Sequence, residues 1–90
     1  PLLLVHAAAS DARLWAPVVP HLAARGFEVL AVDLPGFGAA ADVEADDWTP
    51  AGLARAVGRT MQAHGLDRPV VAGCSFGGAV ALELLRAGRT

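Results

Sequence analysis

The sequence contains no lysine and a single cysteine, and only 18% of its 90 residues are charged. The lone Cys74 excludes an internal disulfide and any metal site built from several cysteines. The absence of lysine excludes a P-loop, whose motif places Lys before Ser or Thr. The formal net charge is −2, so a nucleic-acid partner or a polybasic membrane surface is not expected.

Long apolar runs are also lacking. No stretch approaches the ~20 residues that a membrane helix needs, and no basic segment leads into an apolar one as in a signal peptide. We therefore expect no membrane partner and a cytoplasmic location. The chain opens on Pro1 rather than Met, and we expect residues 1–90 to be a single partial domain truncated at both ends.

Hydrophobic residues make up 54% of the chain, which is too much for a disordered segment and is typical of buried strands. Short apolar runs predict strands at residues 2–6, 28–33 and 69–74. Three helices are predicted: one that starts between Trp15 and Pro17 and stops at Gly26, one from Thr49 to Gly65, and one over residues 76–87. In the first of these helices, Leu14, Val18 and Leu22 share the predicted buried face. The order βαβαβα predicts an α/β fold with a parallel sheet between layers of helices.

One motif lies where a strand passes into a helix: Gly73-Cys74-Ser75-Phe76-Gly77 matches G-x-S-x-G. A serine on so sharp a turn is held in a strained backbone with its hydroxyl pushed outward. Glycine at 73 and 77 avoids a collision across the turn, and Gly78 is expected to let the helix pack close to the sheet. The Phe76 N–H, at the helix start, can stabilise an oxyanion.

Other interpretations of the glycines are weaker. Gly36 and Gly38 lack the third glycine and the helix of a dinucleotide-binding fingerprint. An idle serine in a glycine-rich turn remains the alternative for Ser75.

The whole chain resembles the middle of an α/β-hydrolase, from the third strand of that family to the helix after its nucleophile. Three segments carry the resemblance: LLLVHAAAS, VLAVDLPGFG and VVAGCSFGGAVALELL. It implies that the first strand here lies in the middle of the sheet and that a second oxyanion N–H comes from Ala8. The family usually has Gly where this chain has Ala7, so the loop after His6 is expected to differ in conformation.

The remaining chemistry-bearing residues receive structural interpretations. His6 is expected to be hydrogen-bonded and to shape the loop after the first strand, without acting as a base. Asp33 is expected to fix a loop through hydrogen bonds. Surface positions are predicted for His21 and His64, and buried ones for Cys74 and Trp15. The acidic cluster, predicted to be a solvated loop, comprises Asp42, Glu44, Asp46 and Asp47.

These features predict a serine hydrolase acting on an ester or a related small acyl substrate, with Ser75 as nucleophile and Phe76 and Ala8 as oxyanion donors. No metal or cofactor is expected. The family's order of catalytic residues is Ser, then an acid, then His, and no His follows Ser75 here. We therefore expect the base and the acid to lie in a missing C-terminal part, and residues 1–90 alone to be inactive. The alternative is a non-catalytic fragment or a hydrolase-like binding module.

Overall fold

The computed structural model describes residues 1–45 and 47–90. Its strands are β1 (Leu2–Val5), β2 (Val29–Val32) and β3 (Val70–Gly73). Its α-helices are α1 (Val19–Ala24), α2 (Pro50–Ala63) and α3 (Phe76–Arg86). Two short 3-10 helices, Ala12–Trp15 and Gly38–Ala40, lie in the loops after β1 and β2.

The three strands form one parallel sheet in the order β2-β1-β3. Leu2 pairs with Val29 on one side and with Val70 on the other, so the three strands start level with one another. Both the α/β class and the central place of the first strand are confirmed. Because parallel strands are buried on both faces, the uninterrupted apolar run of β1 is what a central strand requires.

The main core lies between the sheet and the helices α2 and α3. Leu3 and Val5 of β1 are fully buried and belong to the same apolar cluster as Val57 of α2 and Val80 of α3. Leu4, between them in the strand, points to the opposite face of the sheet and is 2% exposed. β1 is therefore fixed from both sides, which makes its C-terminal end a rigid support for the residues that follow.

α2 begins and ends as its sequence predicts. Thr49 is the N-cap, and its hydroxyl oxygen accepts the Gly52 N–H at 3.1 Å. Pro50 occupies the first turn, where its missing N–H leaves no helical bond unmade. The helix ends at Ala63, two residues before Gly65, which has φ +68°.

The prediction for the first helix was wrong at its start. The structure has a 3-10 helix over Ala12–Trp15 and then a turn, and α1 begins only at Val19. A helix starting anywhere between Trp15 and Pro17 would place Pro20 past its first three positions, where proline removes a hydrogen bond and clashes with the preceding turn. The predicted buried face is lost as a result, since Leu14 is 40% and Val18 43% exposed.

Candidate active site

Three chemistry-bearing residues follow the C-terminal ends of the three strands. His6 comes directly after β1, Asp33 directly after β2, and Ser75 two residues after the end of β3. Because the strands are parallel and in register, these residues lie along one edge of the sheet. This is the edge at which open α/β sheets bind their ligands.

Ser75 adopts an unusual backbone conformation between β3 and α3. Its φ is 53° and its ψ is −116°, a combination that L-residues rarely adopt. The residue is exposed, and its hydroxyl makes no capping hydrogen bond with α3. The side chain is therefore presented to solvent by a strained turn and is not used to stabilise the helix.

The glycines on either side of Ser75 are required by close backbone contacts. A β carbon at Gly73 would collide with the Gly77 carbonyl oxygen, and one at Gly77 would collide with the carbonyl oxygens of Val5 and His6. The turn thus packs backbone against backbone at the end of β1. Gly78 is different, because a β carbon there would meet nothing nearer than the Gly73 carbonyl oxygen at 3.8 Å. The expected packing role of Gly78 is therefore wrong.

Two of the N–H groups in the first turn of α3 donate to carbonyl groups of the turn that contains Ser75. The Gly77 N–H donates to the Cys74 carbonyl at 2.9 Å, and the Gly78 N–H donates to the Ser75 carbonyl at 2.8 Å. Within the described part of the chain, the Phe76 N–H has no backbone acceptor. It is a first-turn donor at the positive end of the helix dipole, next to the serine hydroxyl.

The loop after β1 carries its conformational strain at an alanine that the sequence did not single out. Ala9 has φ +57°, whereas Ala7, which stands where glycine was expected, has no positive φ. Alanine at position 7 is thus compatible with the loop. Ala8 and Ala9 are both exposed, and the Ala8 N–H has no backbone acceptor among the described residues.

His6 is fully buried and uses both ring nitrogens. Its Nε2 accepts the Leu34 N–H at 2.9 Å, and its Nδ1 lies 2.7 Å from the Ala7 carbonyl oxygen. Because a backbone N–H can only donate, Nε2 carries no proton, so Nδ1 is the protonated nitrogen and donates to Ala7. The Phe37 ring lies edge-on to the imidazole, with centroids 5.6 Å apart. The predicted structural, hydrogen-bonded role of His6 is confirmed.

Asp33 connects the loops that follow β1 and β2. Its Oδ1 accepts the Ala12 N–H at 2.7 Å, and its Oδ2 accepts the Ala39 N–H at 2.9 Å. Each oxygen thus bonds to the backbone of a different 3-10 helix. The prediction that Asp33 fixes a loop through hydrogen bonds is confirmed, and the structure extends it to two loops.

Asp11 and Arg13 form a local ion pair that the sequence interpretation missed. N–H groups on two nitrogens of the Arg13 guanidinium donate to the Asp11 carboxylate, and the shortest of these contacts is 2.8 Å. The backbone N–H of Arg13 also donates to Asp11 Oδ1, at 2.9 Å. The hydrogen bond from the guanidinium, followed by that from the Arg13 N–H, lowers the pKa of Asp11 from 3.8 to about 2. The available signal was an Asp directly before a helical turn, which is a usual capping position.

The remaining residues that the sequence singled out are exposed or half-buried. His21 in α1 and His64 after α2 are exposed, as predicted, and His64 lines a cavity with Pro1 and Glu28 at the N-terminal edge of the sheet. Cys74 and Trp15 are half-buried rather than buried.

The acidic loop is exposed at Asp42, Glu44 and Asp47, which fits the predicted solvated loop, and Asp46 lies outside the described residues. Asp47 takes part in the cap of α2, because its Oδ1 accepts the Thr49 N–H at 3.1 Å and its Oδ2 pairs with Arg55 at 2.9 Å. Residues 1–45 and 47–90 contain no group of three or more side chains arranged to hold a metal ion. None of their helices is long and apolar enough to span a membrane.

Comparison with known proteins gives one family and several similar structures. A family model described as the alpha/beta hydrolase fold matches residues 1–87. The structure of the N-acyl homoserine lactonase AidH superposes with a TM-score of 0.85 at 30% identity, covering 100% of this chain and 34% of its own. A thermophilic esterase from Thermogutta terrifontis gives a TM-score of 0.85 at 31% identity, covering 96% of this chain and 31% of its own.

A Pseudomonas aeruginosa protein named as an epoxide hydrolase is similar to the same extent. Its TM-score is 0.84 at 35% identity, covering 99% of this chain and 30% of its own. The chain therefore spans about a third of the length of the structures it resembles. Among curated proteins, no match is found.

Proposed function

Because this chain belongs to the alpha/beta hydrolase fold family, we propose that Ser75 is the nucleophile of a serine hydrolase acting on an ester or a related small acyl substrate. The observation that carries the proposal is the backbone of Ser75, with φ 53° and ψ −116° between a strand and a helix. Strain of this kind persists where the surrounding contacts impose it, and it is concentrated at functional sites. The turn around Ser75 is tightly packed, because Gly73 and Gly77 lie in backbone contacts that admit no side chain.

In the proposed reaction, the Ser75 Oγ attacks the substrate carbonyl carbon and the carbonyl oxygen becomes an oxyanion. The Phe76 N–H donates to this oxyanion, and the Ala8 N–H, on the loop after β1, is the second donor. Collapse of the tetrahedral intermediate releases the alcohol and leaves an acyl-enzyme. Water then attacks the acyl-enzyme, releases the acid and restores the serine hydroxyl.

The base that accepts the Ser75 proton is proposed to lie outside residues 1–90, together with the acid that orients it. His6 supports this placement, because it is buried and both its nitrogens are engaged by backbone groups. His64 lies at the opposite edge of the sheet. Residues 1–90 would then be one part of a hydrolase core, with little turnover alone, because a serine hydroxyl is a weak nucleophile without a base.

Two neighbouring interpretations differ in the chemistry at position 75. Family branches with an aspartate nucleophile, among which epoxide hydrolases are found, are disfavoured because this position is Ser75. A hydrolase-like binding module without turnover is the other candidate. It is favoured by His6, whose two ring nitrogens are engaged by backbone groups, and by His64, which lies at the opposite edge of the sheet from Ser75.

Reaction with a fluorophosphonate tests the proposal, because this reagent modifies serines that an enzyme has activated. We expect modification at Ser75 in the complete polypeptide that carries residues 1–90, and none in Ser75→Ala. A binding module would leave Ser75 unmodified in the folded protein.

A further inference from the structure

The loop that carries Ala8 is attached at both of its ends. At its start, the His6 ring accepts the Leu34 N–H at 2.9 Å. At its far end, the Ala12 N–H donates to Asp33 Oδ1 at 2.7 Å. Residues 7–11 lie between these attachments, and in both cases the partner belongs to the segment that follows β2.

We propose that Asp33 is a positioning residue for the oxyanion donor at Ala8, because its carboxylate fixes the far end of this loop. The inference rests on the proposed function of Ser75 and Ala8. It assigns Asp33 no contact with the substrate, only the task of holding the loop in the conformation that aims the Ala8 N–H.

The strain within the loop shows why an attachment is needed. Ala9 has φ +57°, a region in which the β carbon of an L-residue lies too close to the following carbonyl oxygen. A run of three alanines, which makes up residues 7–9, does not adopt this shape by local preference. It holds the shape only where its ends are fixed by other parts of the protein.

The carboxylate of Asp33 is suited to this task because it is an acceptor at both oxygens. Oδ1 takes the Ala12 N–H, and Oδ2 takes the Ala39 N–H at 2.9 Å, so one side chain joins the loops after β1 and β2. An asparagine has a single acceptor oxygen, and its amide nitrogen would face one of the two N–H donors. Joining both loops therefore requires the acid.

Gly38 leaves space for the Asp33 carboxylate because it has no β carbon. A β carbon there would lie 2.7 Å from Asp33 Cγ and 2.8 Å from Asp11 Cβ. The backbone at position 38, with φ +54°, thus lies directly against both aspartates. A side chain at position 38 would therefore displace one of the aspartates, and glycine leaves the Asp33 carboxylate in place.

Two substitutions remove the attachment in different ways. In Asp33→Asn, the amide nitrogen of the asparagine faces the N–H of either Ala12 or Ala39, so one of these two hydrogen bonds is lost. Ala12→Pro removes the N–H that Oδ1 accepts and puts the ring carbon Cδ where its hydrogen lay, so Asp33 Oδ1 cannot stay at 2.7 Å from the backbone nitrogen. The substitution is at the first position of the 3-10 helix, where proline is tolerated. Asp11, the residue before it, is extended at φ −159° and ψ −173°, as a residue preceding proline prefers. Asp67→Asn, at an exposed position before β3, is the matched control.

The test compares the three variants in the complete polypeptide that carries residues 1–90. We measure kcat and KM on a p-nitrophenyl ester. We also measure the affinity of a trifluoromethyl ketone, because the serine adds to its carbonyl group and the product carries an oxyanion. Loss of one oxyanion donor typically lowers kcat about 10²- to 10³-fold, so a displaced donor is expected to lower it about tenfold or more. We expect Asp33→Asn and Ala12→Pro to lower kcat and the ketone affinity in parallel with little change in KM, and Asp67→Asn to change none of them.

Unchanged kcat and ketone affinity in the folded Asp33→Asn or Ala12→Pro variant overturns the inference, even if Ser75 is the nucleophile. Failure of the proposed function is recognised separately, because the unsubstituted protein would then not react with a fluorophosphonate. In that case hydrogen exchange of the Ala12 and Ala39 amides, which donate to Asp33, decides. Faster exchange of either amide in Asp33→Asn than in Asp67→Asn supports the attachment, and equal exchange of both overturns it.

Discussion

Gly77 lies against the backbone of Val5 so closely that a β carbon on Gly77 would overlap the Val5 carbonyl oxygen. The neighbouring carbonyl of His6 would be 2.5 Å away. This contact brings the first turn of α3 onto the end of the central strand. It places Ser75 and the loop that carries Ala8 side by side at one edge of the sheet.

Substitution at Gly77 is therefore expected to be severe, and Gly78 provides a matched control. Gly77→Ala should lower the free energy of unfolding by at least about 1–3 kcal/mol, because backbone atoms must move to admit the methyl group. Gly78→Ala should leave it unchanged or raise it by about 0.5–1 kcal/mol, since alanine favours a helix interior and finds space there. Urea denaturation of both variants measures the difference, and equal destabilisation of the two would contradict the proposed contact.

Ala9 provides a second test, on the loop after β1. At φ +57° it is strained, so Ala9→Gly removes an unfavourable backbone energy of about 1–2 kcal/mol, partly offset by the greater entropy of glycine in the unfolded chain. Ala8→Gly, at a neighbouring exposed position without positive φ, has only the entropic penalty. Thermal unfolding should thus show Ala9→Gly to be more stable than Ala8→Gly by about 1–2 kcal/mol. If Ala8→Gly were the more stable variant, Ala9 would not be the strained residue of the loop.

The ring of His6 should exist as the tautomer protonated at Nδ1, because Nε2 accepts the Leu34 N–H. The nitrogen chemical shifts of this side chain distinguish a protonated from an unprotonated ring nitrogen and so report the tautomer directly. His6→Leu leaves the Leu34 N–H buried without an acceptor and should lower the free energy of unfolding by about 1–3 kcal/mol. Nitrogen shifts that show the proton to be on Nε2 would exclude the hydrogen bond from the Leu34 N–H.

Asp11 makes stability depend on pH in the acid range. Its pKa is lowered from 3.8 to about 2 by the hydrogen bonds from Arg13, so the unfolded chain binds more protons between these values. The contribution of ionised Asp11 to the free energy of unfolding is fully present above the ordinary pKa of 3.8 and is lost as the pH falls through the lowered pKa of about 2. The stability difference between the unsubstituted protein and Asp11→Asn, measured in urea at low salt, should therefore shrink as the pH is lowered. A difference that does not vary with pH would show that the ion pair does not stabilise the fold.

Much of this fold could be predicted from the sequence, because its signals are local. The apolar runs of β1 and β3, the Thr49-Pro50 start of α2 and the G-x-S-x-G turn each depend on neighbouring residues. The central place of β1 came instead from the family resemblance, since the order of strands is not visible in any one segment.

Local sequence patterns do not predict the structure where two signals compete, or where backbone from a distant segment determines the local conformation. At the start of the first helix, the apolar spacing of Leu14 and Val18 favoured a helix that Pro20 prevents. The strain at Ala9 could not be foreseen, because nothing in a run of three alanines indicates which of them adopts a positive φ. The double hydrogen bond of Asp33 is likewise a property of two loops that meet only in the folded chain.

The most direct test of the central claim is the mapping of fluorophosphonate modification by peptide mass spectrometry. The complete polypeptide, its Ser75→Ala variant, the heat-unfolded protein and the isolated 90-residue chain are treated alike. We predict rapid modification at Ser75 in the folded complete polypeptide, much slower reaction in the isolated chain, which lacks the proposed base, and none in Ser75→Ala or after unfolding. A folded complete polypeptide that remains unmodified at Ser75, or is modified at another serine, would contradict the account.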